Sequence, residues 1–206
     1  MLYSRLLESI PEVRHAFSPR PEVPDPKPWR PRQVHGAVLV DLTAPNLDPP
    51  EADGTIARAP GLPIGVVTAD CIPLLFAHPN RVVVAAVHAG WRGLAAGILE
   101  RTVEALEGPE GWRVALGPAA GGCCYEVGVE VLEALQPAAS FHTATRPGHS
   151  RLDLRGVAVD RLLKAGVHQP LIEVIGPCTI CSGGWPSYRR DGHKAGRMLS
   201  WIGRSL

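Results

Sequence analysis

Two long apolar stretches dominate the middle of the chain, residues 64–77 and 82–87, joined by the polar turn HPNR at 78–81. Their apolarity is continuous rather than alternating, which marks strands covered on both faces. From Arg92 the period changes. Leu94, Ile98, Leu99, Val103 and Leu106 share one helical face, so a helix is predicted to begin near Gly93 and run to Leu106. QVHGAVLV (33–40) alternates well enough for a strand, and 113–116 and 171–175 predict two more. Helices are predicted over 127–135 and 156–165, while the closing GRMLSWI suits strand or helix.

Between these elements lie two connections. PRPEVPDPKPWRP (19–31) carries six prolines and reads as an extended surface segment, and TAPNLDPPEADG (43–54) is the second. Strands and helices mix without strict βαβ alternation and no repeat appears, which disfavours a plain Rossmann sheet. The expected fold is mixed α/β, a compact layered arrangement of β-sheets flanked by helices, in one domain spanning residues 1–206.

Composition narrows the classes. The chain has 206 residues, 45% hydrophobic and 20% charged, enough to bury a core without disulfides. A formal net charge of +1 provides no global field for nucleic acid or an acidic membrane. No apolar run approaches the roughly 18 residues of a membrane span, and MLYSRLLESIPEVRH does not resemble a signal peptide. The expected compartment is the cytoplasm. Five cysteines, two of them adjacent, make a poor disulfide framework.

One interruption stands out. In TADCIPLL (68–75) Asp70 and Cys71 sit where a buried strand would otherwise continue. A buried carboxylate costs several kcal/mol unless something pairs with it. Cys71 and the histidines of QVHG (His35) and VHAGWRG (His88) lie near the ends of predicted strands, where side chains converge on crevices. His/Cys/His with an open fourth position is a catalytic zinc pattern. A buried cysteine with two hydrogen-bonded histidines is commoner in cores. A Cys71–His88 nucleophile pair oriented by Asp70 fits the same residues.

The other cysteines carry less. Cys178-Thr-Ile-Cys181 is a C-x-x-C without a redox setting or a second pair at zinc-knuckle spacing. Adjacent Cys123 and Cys124 are poorly disposed to grip one ion together, so these four read as structural. SYRRDGHKAGR (187–197) gathers Arg189, Arg190, His193, Lys194 and Arg197. Arg189 and Arg190, with Arg92 at a helix start, are candidates for holding a phosphate; a solvated basic loop is the plainer alternative. LGPAAGGCCYEVG (116–128) lacks the lysine and spacing of a nucleoside-triphosphate loop.

QVHG, ADGTIA, TADCIPLLF, AAVHAGWRGLAAGI, LGPAAGGCCYEVG and SYRRDG-x-x-AGRMLSWI together resemble the YfiH-like family, catalogued as laccase-domain protein, polyphenol oxidase and purine nucleoside phosphorylase. The resemblance covers about residues 15 to 203. It implies a cytoplasmic enzyme with one zinc on His35, Cys71 and His88, and a layered fold similar to cysteine hydrolases. The implied activities are phosphorolysis of adenosine, inosine, guanosine and methylthioadenosine, and deamination of adenosine.

Under that reading Asp70, Cys71, His88 and Arg92 are the catalytic candidates, with Asp70 orienting a ligand or accepting a proton. Arg92, Arg189 and Arg190 would bind phosphate. The partners are then purine nucleosides and inorganic phosphate, not nucleic acid or membrane, and a monomer is compatible. Copper is the alternative metal, for a laccase-like phenol oxidase, but eight histidines without a His-x-His pair argue against a multicopper site. A Cys–His hydrolase acting on peptidoglycan precursors is a third reading. The chain departs from the family in the short stretch Pro21 to Arg32 before QVHG, and in Ala195 where threonine is usual.

Overall fold

The computed structural model of the chain describes residues 1–20, 24–42 and 48–205. Both proline-rich connections are therefore seen only in part, and 21–23 and 43–47 lie outside the described residues. The strands are β1 (Val13–Ser18), β2 (Leu39–Leu42), β3 (Gly54–Ala57), β4 (Ile64–Thr68), β5 (Ile72–Ala77) and β6 (Val84–Ala89). They continue with β7 (Arg113–Leu116), β8 (Glu126–Gly128), β9 (His142–Arg146), β10 (His149–Leu152), β11 (Ile172–Val174) and β12 (Met198–Arg204). The helices are α1 (Arg5–Glu8), α2 (Trp91–Ala95), α3 (Ile98–Ala105), α4 (Val129–Leu135), α5 (Leu154–Lys164) and α6 (Tyr188–Asp191).

Among the described residues, β11-β7-β5-β6-β3-β2 form a six-stranded mixed sheet in that order. Its outer pairs, β2–β3 and β7–β11, are parallel and its inner pairs antiparallel. The period of two explains the continuous apolarity of β5 and β6. Leu74, Phe76, Ala85 and Val87 enter a core with Leu94, Leu99, Val131, Val157 and Leu162 from the helices. Leu75, Ala77, Val84 and Ala86 face the other way, onto Phe17, Ile64, Val66 and Ile202 of the antiparallel sheet β1-β12-β4. Each fully buried side chain of this kind contributes roughly 1.5–3 kcal/mol, so both faces must be covered for the sheet to be stable. The third sheet, β8-β10-β9, adds Val127 and Leu152 to the helical core.

The architecture expected from the sequence, mixed sheets flanked by helices, is the one observed. Local differences have identifiable causes. QVHG is a loop rather than a strand, and β2 begins only at Leu39. The helix predicted from Gly93 is two helices, because Gly97 takes a left-handed conformation (φ 80°) between α2 and α3. Residues 126–128 pair with β10 before α4 starts, and the closing segment is a strand, the centre of its sheet. α1, β1, β9 and β10 lack a strong period and are not anticipated.

Between β4 and β5 the chain turns at Ala69–Cys71, where Asp70 has φ 86°. This turn brings the end of β4, the start of β5 and the end of β6 to one edge of the molecule.

Candidate metal centre and its cavity

His88 is the last but one residue of β6 and almost fully buried, Cys71 immediately precedes β5 and is half-buried, and His35 lies exposed in the QVHG loop with φ 64°. A positive φ at a bulky residue is uncommon and clusters at functional sites. Here its cause is visible. The successive backbone N–H groups of Val34, His35 and Gly36 wrap one carboxylate of Asp53, at 3.2, 2.9 and 2.6 Å. Gln33 seats the loop from the other side, exchanging two 2.8 Å hydrogen bonds with the backbone of Val67 in β4.

The same Asp53 accepts a hydrogen bond from His88 Nδ1 at 2.7 Å. Its carboxylate is fully buried, and burial alone would raise its pKa. His88 and the N–H groups of Gly36 and His35 instead hold it below the usual carboxylate range. Because Nδ1 is engaged, Nε2 of His88 is the nitrogen left for a ligand, the arrangement in which a carboxylate fixes a metal-binding imidazole.

One ligand atom from each of His35, Cys71 and His88 lies within 4.8 Å of the others, and the two rings meet edge to face at 4.8 Å. Burial pushes the Cys71 thiol up, but hydrogen bonds with His35 and His88 outweigh it and bring its pKa to about 6. Burial acts to lower His88; the bonds to Asp53 and Cys71 win and raise it to about 9. A thiolate and two imidazoles, one locked in tautomer, suit a borderline-soft divalent ion. Close glycines make room. A Cβ at Gly90 would meet Cys71 Sγ at 3.0 Å, and one at Gly93 would meet the Gly36 carbonyl at 2.8 Å.

The three residues line a cavity of about 490 Å³, within the range of small-molecule sites. Trp91, Arg92, Tyr125, Tyr188, Arg189 and Arg197 complete much of its wall. Arg92 lies over the Trp91 ring at 4.4 Å and Arg189 over Tyr125 at 4.7 Å. Burial, joined by the charges of Cys71 and Asp70 and opposed by Arg189, pushes the Tyr125 phenol to about 12, so it remains a hydroxyl donor at neutral pH.

Two sequence expectations change. Asp70 lines the cavity, but its oxygens accept from Thr179 Oγ1 (2.6 Å) and the Arg189 N–H (2.7 Å). It ties the 179 and 189 loops to the β4–β5 turn; the carboxylate that orients a histidine is Asp53. Arg190 is not among the cavity-lining residues, since its guanidinium serves Asp191 and the carbonyls of Thr179, Ile180 and Trp185. Arg197, a member of the same basic loop, lines the cavity instead. Asp53 carries no mark in the sequence, because ADG and ADC are alike and burial on a loop of backbone donors has no local signal.

Known proteins share this fold and much of this sequence. A family described as multi-copper polyphenol oxidoreductase laccase matches residues 8–205. A purine nucleoside phosphorylase of Xylella fastidiosa is 42% identical over 185 residues, 84% of this chain and 71% of that protein. The purine nucleoside phosphorylase YfiH of Escherichia coli is 37% identical over 95% of this chain and 81% of its own. The crystal structure of YlmD from Geobacillus stearothermophilus superposes with a TM-score of 0.81 at 35% identity, over 85% of this chain and 73% of that one. The chain belongs to the laccase-like YfiH/YlmD family.

Proposed function

We propose that the chain is a zinc-dependent purine nucleoside phosphorylase acting on adenosine, inosine, guanosine and methylthioadenosine, with adenosine deamination at the same site. The observation that carries this reading is the convergence of His35, Cys71 and His88 in a cavity that also presents arginines and aromatic rings. The names of the relatives supply the substrate class. When bound by these three residues, zinc would supply a Lewis acid with one open position, able to polarise an oxygen or lower the pKa of water. Among the described residues only two histidines, His35 and His88, join such a grouping, which is far from the many imidazoles of a coupled copper cluster.

In phosphorolysis an oxygen of phosphate attacks C1′ of the ribose while the C1′–N9 bond breaks and the purine leaves with the electron pair. The phosphate would bring negative charge into a partly enclosed site lined by Arg92 and Arg197, whose guanidinium groups would hold it; one Arg197 nitrogen also donates to the Ala195 and Gly196 carbonyls. Arg189 serves as wall and anchor: its side chain donates to the Glu126 carbonyl and its N–H to Asp70. Trp91 and Tyr188 offer flat apolar faces for a purine, and the Tyr125 hydroxyl offers a donor. Asp53 keeps His88 in one tautomer throughout.

Release of hypoxanthine from inosine, with and without phosphate, tests the reading alongside zinc analysis. Cys71→Ala is expected to lose one equivalent of zinc and the phosphate-dependent activity. Arg92→Ala is expected to keep its zinc and raise the KM for phosphate roughly 10-fold or more, the loss of one charged hydrogen bond. Full phosphate-dependent activity in Cys71→Ala would overturn the proposal.

A further inference from the structure

Four of the five cysteines are absent from the site just described, and the fold collects them. Cys123 and Cys124 lie in the turn after β7, and Cys178 and Cys181 in the turn after β11. β7 and β11 are parallel neighbours, and their pairing extends past the strand ends through an Ala119–Cys178 bridge. The two turns are thereby held side by side. The backbone N–H groups of Cys124 and Tyr125 both return to the Gly121 carbonyl at 2.9 Å, a tight turn that overcomes the awkwardness of adjacent cysteines. Ser182 N–H closes the second turn on the Cys178 carbonyl at 3.1 Å.

The four Sγ atoms lie within 4.8 Å of one another. A zinc–sulfur bond of about 2.3 Å in a tetrahedron sets sulfur atoms about 3.8 Å apart. Cys123 Sγ and Cys181 Sγ are 3.8 Å apart. We propose that Cys123, Cys124, Cys178 and Cys181 form a second metal site, a closed tetrathiolate that holds a structural zinc ion.

Backbone donors surround one of the four sulfurs, Cys178 Sγ. The Gly121 N–H points at Cys178 Sγ from 3.2 Å, and the N–H groups of Ile180 and Cys181 also reach that sulfur. Glycine is required at 121, since a Cβ there would stand 3.0 Å from Cys178 Cβ and 3.4 Å from two of the sulfurs. Four thiolates with one Zn²⁺ carry a net charge of −2, and a cation is close. Arg190 donates to the carbonyls of Thr179 and Ile180, the two residues inside the C-x-x-C, at 2.8 and 3.2 Å. This accounts for Arg190 lying outside the cavity.

The position has a consequence. Thr179 donates to Asp70, which also takes the Arg189 N–H. An ion among the four sulfurs would therefore fasten the turn that supports the β4–β5 corner and the basic loop. Its role is structural, because four protein ligands leave no position for a reactant.

Zinc content of chain purified under reducing conditions is the direct measurement. Wild-type chain is expected to hold two equivalents, and Cys71→Ala one. Cys178→Ser/Cys181→Ser is expected to hold one as well, retained on His35, Cys71 and His88. Should that double variant fail to fold, cobalt loading of Cys71→Ala keeps the question open to measurement. Intense sulfur-to-cobalt charge transfer with tetrahedral ligand-field bands supports the site, and its absence overturns it. Zinc content that falls to zero in Cys71→Ala would overturn the proposal, as would a native mass showing a disulfide among the four cysteines. Loss of nucleoside activity with two zincs still bound would sink the preceding reading and leave this one standing.

Discussion

Asp53 accepts four hydrogen bonds on two oxygens without any exposure to water: three from successive backbone N–H groups and one from His88. Asparagine there would turn an NH₂ group onto donors that need an acceptor, and a buried donor left unpaired costs about 1–3 kcal/mol. Both histidines would shift together, because one carboxylate positions the loop of His35 and the ring of His88. Asp53→Asn is expected to weaken zinc binding at the His35–Cys71–His88 centre by 10- to 100-fold in competition with a chelator, the usual cost of losing a carboxylate partner. Unchanged affinity would mean that the loop and ring hold their places without it. The sequence makes Cys71, His35 and His88 visible, since few residue types bind metal at strand ends. It leaves Asp53 and Asp70 indistinguishable, each an aspartate after alanine. What separates them is which backbone N–H groups arrive from 17 to 19 and from 119 residues away.

The interiors of β5, β6 and β7 are readable because apolar runs encode burial, and those strands are buried on both faces. Loops that carry the chemistry are less readable. QVHG alternates like a strand yet is shaped by a carboxylate and by Gln33, which takes the part of a strand neighbour to Val67. Helix α2 begins close to this loop, and only a glycine fits at its third position, because a Cβ on Gly93 would press 2.8 Å from the Gly36 carbonyl. Backbone atoms cannot swing aside as a side chain does. Gly93→Ala is therefore expected to push QVHG from α2, costing about 1–3 kcal/mol of stability and loosening His35. Urea denaturation measures the first effect and chelator competition the second. A variant as stable as wild type with equal zinc affinity would show that the two elements slide apart freely.

Among the described residues two cores meet across the six-stranded sheet, and the N-terminal helix packs through Leu7 into the one that holds Phe17 and Ile202. Ser4, the N-cap of α1, donates its backbone N–H to His15 Nε2 of β1 at 2.8 Å and its hydroxyl to Glu173 of β11. Burial pulls the His15 pKa from 6.5 down to about 4, against the opposing charge of Glu173. The other groups around the ring are Tyr3 and Phe17, each edge-on. Arg113 of β7 binds the far end of α1 through Ser9 and the Leu6 carbonyl. A histidine kept neutral in the folded state gives no pH dependence above its unfolded pKa, where both states are neutral. Below about 6.5 the unfolded chain takes up a proton that the folded chain refuses until about pH 4, so stability falls across that window as pH falls. The loss between pH 7 and pH 5 amounts to about 2 kcal/mol, at 1.36 kcal/mol per pH unit per proton. Acid also releases metal from cysteine and histidine ligands, so wild type alone cannot isolate the effect. Glutamine at 15 can accept from Ser4 without titrating. The difference in urea-unfolding free energy between wild type and His15→Gln is therefore expected to shift by about 2 kcal/mol in favour of the variant from pH 7 to pH 5. Any contribution of the proposed metal centres cancels in that difference. A difference that stays constant across the window would place the acid sensitivity of the molecule elsewhere than at this clamp.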